Sequence, residues 1–211
     1  MVRAELGKAT LVGATFRSCE MERVLLNECD ASGAVFDGAT MEHVELRGAT
    51  LVKATFKKSH LQVAVLDECN ATGAVFDDAD LTNAKLTEAT ITGASFTRST
   101  MQSADLCGAQ AEGATFDGAD LTNAMLTGAT ITSASFVGST LSGVVFAGSD
   151  VSGAIFKDAT FNGADLRGVI NLHKAKLRGA IFYGCAFADV DLAGVDLTGA
   201  DMRGAVLKGV V

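Results

Sequence analysis

Three histidines, five cysteines and a scatter of carboxylates are the residues of this 211-residue chain that could do chemistry. Acid–base or nucleophilic catalysis would need several of them to converge in a cleft. The carboxylates gather at Asp77, Asp78 and Asp80, and again at Asp117 and Asp120. Such a group serves catalysis when burial or a like charge shifts one pKa. His43, His60 and His173 fall at unrelated points, with no matched nucleophile. There is no GxGxxG, P-loop or HExxH, and no CxxC to mark a zinc site. These patterns point away from an enzyme, a metal site or any other cofactor.

The elements that carry these residues are set by a repeat. Phe16, Phe36, Phe56, Phe76, Phe96, Phe116, Phe136 and Phe156 recur every 20 residues. Between them runs a finer period of five, with an apolar residue at each centre from Leu6 to Leu166, making 33 consecutive units. The phase slips by one residue within 167–171, where Val169 or Ile170 reads as the extra residue. It then resumes for eight units, from Leu172 to Leu207. A small residue sits two places before each centre, as at Ala14, Cys29, Ala34 and Ser59.

A period of five fits neither a helix at 3.6 nor a flat strand at 2. It fits a short extended segment followed by a turn, with centre and small residue both facing inward. Four such segments close a square coil of 20 residues, and stacked coils make an all-β solenoid. The absence of proline agrees, because inter-coil ladders need every backbone donor. The repeat covers residues 1–211 and predicts one domain of about ten coils.

Units such as Ala79-Asp80-Leu81-Thr82-Asn83, Ala119-Asp120-Leu121-Thr122-Asn123 and Ala164-Asp165-Leu166-Arg167-Gly168 have the form A(D/N)LXX. The chain thereby resembles the pentapeptide repeat proteins. The resemblance implies a right-handed quadrilateral β-helix. Some members protect DNA gyrase and topoisomerase IV from poisons, as acidic rods that imitate duplex DNA and dimerise through their C-terminal coils. The uninterrupted first 33 units are similar to the loop-free members. On this reading Asp77, Asp78, Asp80, Asp117 and Asp120 are candidate partner contacts. Met202, Val206, Leu207, Val210 and Val211 are the candidate dimer or cap surface. The alternative is a structural or protein-interaction scaffold for a different partner.

The net charge of −8 disfavours direct nucleic-acid binding, which needs a basic face. No apolar run has the length of a membrane span and no signal peptide is visible, so a cytoplasmic protein is expected. Cys19, Cys29, Cys69 and Cys185 take inward positions and should be buried free thiols. Arg17, Asp37, Lys57 and Asp77 follow successive Phe residues and alternate in sign, as cross-ladder neighbours would. Residues 121–149 carry no charge, and Met125, Val137 and Val145 point outward within that band.

Overall fold

A computed structural model describes residues 3–210. Its backbone is built from one turn, repeated. At every centre but Phe187 and Leu207, the carbonyl accepts the N–H three residues on, as Phe36 does from Ala39 at 3.0 Å. The residue before that donor is left-handed, with φ between 52° and 75° at every corner outside the register shift. That is the pattern of a type II turn. Every glycine except Gly7 occupies this corner, where it alone carries no Cβ penalty.

One residue per unit is then left to bridge its neighbours. Thr15 pairs with Val35, Val35 with Thr55 and Thr55 with Val75, all parallel and 20 residues apart. Phe56 donates upward to Val75 at 2.7 Å, and Val75 donates down to Ala54 at 3.0 Å. The expected extended segments are mostly single bridging residues, because the turn claims the rest of each unit. Continuous pairing occurs between β1 (Ala186–Ala188) and β2 (Val206–Lys208), which run parallel. The result is the right-handed quadrilateral β-helix, with four walls named here by their first centres: Leu6, Leu11, Phe16 and Met21.

The interior is one continuous apolar column. Phe36 to Phe156 along the Phe16 wall are at most 1% exposed. From Phe16 upward their rings stack at 4.7–5.1 Å. That distance is the ladder spacing. It exceeds ring contact of about 3.5 Å, so the near-parallel rings lie offset. Ser59, Ser99 and Ser139 are buried just after the column, and their hydroxyls donate to the carbonyls of Phe56, Phe96 and Phe136.

The register shift lies within 167–171, as the repeat indicated, but the added residue is neither Val169 nor Ile170. Val169 fills its inward slot at 7% exposure, and Ile170 still bridges Asp150. The next bridge is Ile155 with Lys176, so the added residue is Asn171. Asn171 is left-handed at φ 61° and opens a 3-10 turn over Leu172–Lys174. Asparagine tolerates that conformation better than Val or Ile, which is why neither of those takes the extra place. Its Nδ2 also donates to Asp150 Oδ1 at 3.0 Å.

Above this turn the last coil is only half attached. Ladder bonds from Leu172 to Asp191 and from Leu177 to Asp196 are not formed. The ladder resumes where Gly179 donates to Thr198 at 3.0 Å. Leu6, Leu11 and Phe16 in the first coil, and Leu192, Leu197 and Met202 in the last, are half-buried.

Candidate functional site

The five candidate carboxylates lie along one edge of the rod, between the Phe16 and Met21 walls. Asp77 and Asp78 form the corner after Phe76, and Asp80 is the next bridging residue. Asp117 and Asp120 repeat two of these places two coils higher, about 10 Å along the axis.

Each of the five is already held by the fold. Asp77 Oδ1 accepts the Ser95 hydroxyl at 2.5 Å and the Thr97 backbone N–H at 3.2 Å. Asp117 does the same with Ser135 and Val137, at 2.5 and 3.0 Å. Asp80 accepts the Thr82 N–H and hydroxyl in its own turn, and Gln62 Nε2 at 2.6 Å. Asp120 matches it, with Thr122 and with Gln102 at 2.7 Å. Asp78 takes a two-point fork from Arg98. The cluster is thus part of a two-coil structural repeat, in which a carboxylate satisfies donors that a turn or a neighbouring coil leaves open.

At Asp78 and Asp120 these bonds favour the ionised form. The Arg98 fork holds the Asp78 carboxyl below its ordinary 3.8. Partial burial of Asp120 opposes ionisation, but donors on Thr122 and Gln102 outweigh it and the pKa is again lowered. Asp78 and Asp120 are therefore held as anions, and all five side chains sit in fixed geometry. The edge is not uniformly acidic: Lys57 and Lys58 occupy the coil below Asp77 and Asp78, and Arg98 the coil above. The alternation expected after the Phe column is made partly by the backbone. Arg17 approaches Asp37 at 3.9 Å, but Asp37 Oδ1 accepts the Lys57 main-chain N–H at 3.1 Å.

Asp67 was not singled out by its sequence position, yet it is 6% exposed. It pairs with Arg47 at 2.7 Å and accepts the Thr87 N–H from the next coil. The signal was available, because an Asp directly after a centre recurs at Asp37, Asp77 and Asp117 with the same inter-coil bond.

The remaining candidates are dispersed. Burial pushes the Cys29 thiol up to about 11, with the Asp30 charge adding to it. Burial, then the Asp67 charge, pushes Cys69 up to about 12, and burial pushes Cys185 to about 11. Cys19 is half-buried rather than buried, because it belongs to the first coil. His173 is 3.4 Å from Asp191 without hydrogen-bond geometry. Among the described residues no group of three or more His, Cys, Asp or Glu could hold a metal ion. No helix among them is long and apolar enough to cross a membrane.

At the C-terminal coil Val206 and Leu207 are 60% and 54% exposed. Met202 and Val210 are half-buried, and Val211 lies outside the described residues. In the uncharged band Met125 bridges Val145 on the Leu6 wall and is 42% exposed.

No curated protein matches the chain. Among solved structures it is similar to HetL, described as a pentapeptide repeat protein involved in heterocyst differentiation regulation from the cyanobacterium Nostoc sp. The TM-score is 0.78 at 23% identity, covering 100% of this chain and 90% of HetL. It is also similar to a trypsin-treated form of QnrB1, a plasmid-mediated fluoroquinolone resistance protein. There the TM-score is 0.50 at 22% identity, covering 95% of this chain and 90% of that one. The model for pentapeptide repeats (8 copies) matches residues 19–57, 99–138 and 170–209. Two related models, a pentapeptide repeat region and pentapeptide repeats (9 copies), match 39–116 and 126–170. With the five-residue turn, the square coil and these matches in agreement, the chain belongs to the pentapeptide repeat family.

Proposed function

We propose that this protein is a non-enzymatic binding rod that occupies the DNA groove of a type II topoisomerase, such as DNA gyrase or topoisomerase IV, and protects it from poisons. The observation that carries the reading is the edge of fixed carboxylates, Asp77, Asp78 and Asp80 with Asp117 and Asp120 two coils away. Anions pre-positioned on a narrow rod satisfy a cationic groove as phosphates do, at low ordering cost. A rod of about ten coils at ~4.8 Å is roughly 50 Å long. A homodimer through Met202, Val206, Leu207 and Val210 would double it, and the exposure of Val206 and Leu207 supports that contact. The protein would act in the cytoplasm, where its partner works.

The test is a supercoiling assay with purified gyrase, with and without a quinolone. Micromolar rod should alter supercoiling or rescue it, and added salt should weaken the effect. The informative variant is the triple Asp77→Asn, Asp78→Asn, Asp80→Asn, which keeps oxygen acceptors while removing three charges. Loss of the effect in this variant supports the reading, and no effect of the wild type at micromolar concentration sinks it. Light scattering tests the dimer: Leu207→Asp should halve the mass.

A second reading, a scaffold for another protein partner, is favoured by one specific feature. Lys57, Lys58 and Arg98 interrupt the acidic edge, so sign alternates where duplex DNA is uniformly negative. A pull-down returning a non-topoisomerase partner whose binding needs both Lys58 and Asp78 would favour this reading.

A further inference from the structure

We infer that the cleft opened by the register shift is a binding site for a small organic anion with a flat apolar body, such as an aromatic carboxylate. The cleft follows from the backbone. Asn171 adds one residue, and the 3-10 turn at Leu172–Lys174 spends the Lys174 N–H on Asn171 O instead of on the coil above. The last coil loses its ladder bonds to Leu172 on the Leu11 wall and to Leu177 on the Phe16 wall. A cleft of about 390 Å³ opens between the coils, within the size range of small-molecule sites.

Its lining divides into an apolar floor and a cationic rim. The floor is apolar, made by Ile155, Ala175, Leu177 and Val195. Three cations stand around it: Lys157, Lys176 and Arg178. Lys157 is 3.8 Å from Asp158. Neither Lys176 nor Arg178 lies within ion-pair distance of a carboxylate among the described residues. The opposing acid is Asp196, whose Oδ1 accepts the Thr198 N–H at 2.9 Å and whose carboxyl is held down by Thr198 and, less, by the Arg178 charge beyond ion-pair distance. His173 Nδ1 is buried at the cleft corner, 3.4 Å from Asp191 Oδ2 but without hydrogen-bond geometry. Through residue 150 the chain carries 19 acidic and 10 basic residues, whereas residues 151–211 carry 6 and 7, so the rim belongs to the more basic end of the rod. Cations held by no close ion pair above an apolar floor bind a carboxylate on an aromatic or branched body, since one part is desolvated while the other is neutralised.

The probe is benzoate, with benzamide as its neutral isostere, titrated into isotopically labelled protein and followed by backbone amide shifts. Benzoate should move the Ile155, Leu177 and Val195 amides saturably, and benzamide should bind at least roughly tenfold more weakly. The double variant Lys176→Glu, Arg178→Glu changes two exposed side chains, and unaltered Phe76 and Phe96 amides would show that the rod is intact. In that variant benzoate should fall to the level of benzamide. Equal binding of the two probes, undiminished benzoate binding by the variant, or no saturable shift with benzoate would each overturn the inference.

Discussion

Arg98 grips Asp78 from one coil above, with Nε donating to Oδ1 at 2.8 Å and Nη2 to Oδ2 at 3.0 Å. Both residues are left-handed corners, at φ 57° and 58°, so the stacking of corners brings them together. Replacing Arg98 with Ala should release the Asp78 carboxyl toward its ordinary 3.8, from the lower value the fork imposes. Carboxyl-resolved NMR titration measures this. On the topoisomerase reading the same variant should bind faster at low salt, since a cation leaves the acidic edge.

Asp77 and Asp117 tie adjacent coils through the Thr97 and Val137 N–H groups. Asp77→Ala should cost about 1–3 kcal/mol in urea denaturation, since the Ser95 hydroxyl and the Thr97 N–H both lose their acceptor. Asp77→Asn should cost less, because an amide oxygen still accepts. Equal losses would mean that the negative charge, and not the acceptor, stabilises the coil pair.

The Phe column should be the most sensitive part of the rod. Phe76 contacts Phe56 and Phe96 at 4.7 and 4.8 Å and is fully buried. Phe76→Ala should lose about 3–5 kcal/mol, and Phe76→Leu less than about 1.5 kcal/mol. Thermal melting followed by circular dichroism checks both.

Val63 occupies a left-handed corner at φ 58° and is 38% exposed. A β-branched residue is strained there. Val63→Gly should stabilise the rod by roughly 1 kcal/mol, read as a higher urea midpoint. A lower midpoint would mean that the side chain's outward contacts outweigh backbone strain.

Stability should fall in acid. Asp30, Asp78, Asp150, Asp165, Asp196 and Asp201 all have folded-state pKa values below 3.8. A depressed carboxyl contributes stability that is complete above its unfolded pKa and is lost as pH falls through the folded value. The melting temperature should therefore be nearly level from about pH 7 to 5 and decline below about pH 4.

Most of this architecture could be read from spacing alone. Phe56 over Phe76 follows from a 20-residue interval, and the glycine corners follow from the five-residue unit. The bonding of the carboxylates was partly legible, since Asp80-x-Thr82 and Asp120-x-Thr122 are turn-capping pairs within one unit. The Gln62–Asp80 and Gln102–Asp120 bonds join residues 18 apart, and become visible only once the coil is closed. The identity of the added residue escaped because Val169, Ile170 and Asn171 are adjacent. Apolar pattern cannot tell which is extra; backbone tolerance for positive φ decides it.

Four equal sides have a consequence for how such a rod changes length. An insertion of 20 residues returns every later side chain to the same side and lengthens the rod by one storey. An insertion of five would turn everything beyond it by a quarter revolution, setting Phe over Leu or Met. A single residue, as at Asn171, survives only where a corner can swallow it. Reach can thus grow in whole storeys by duplication while the pattern on each side stays intact.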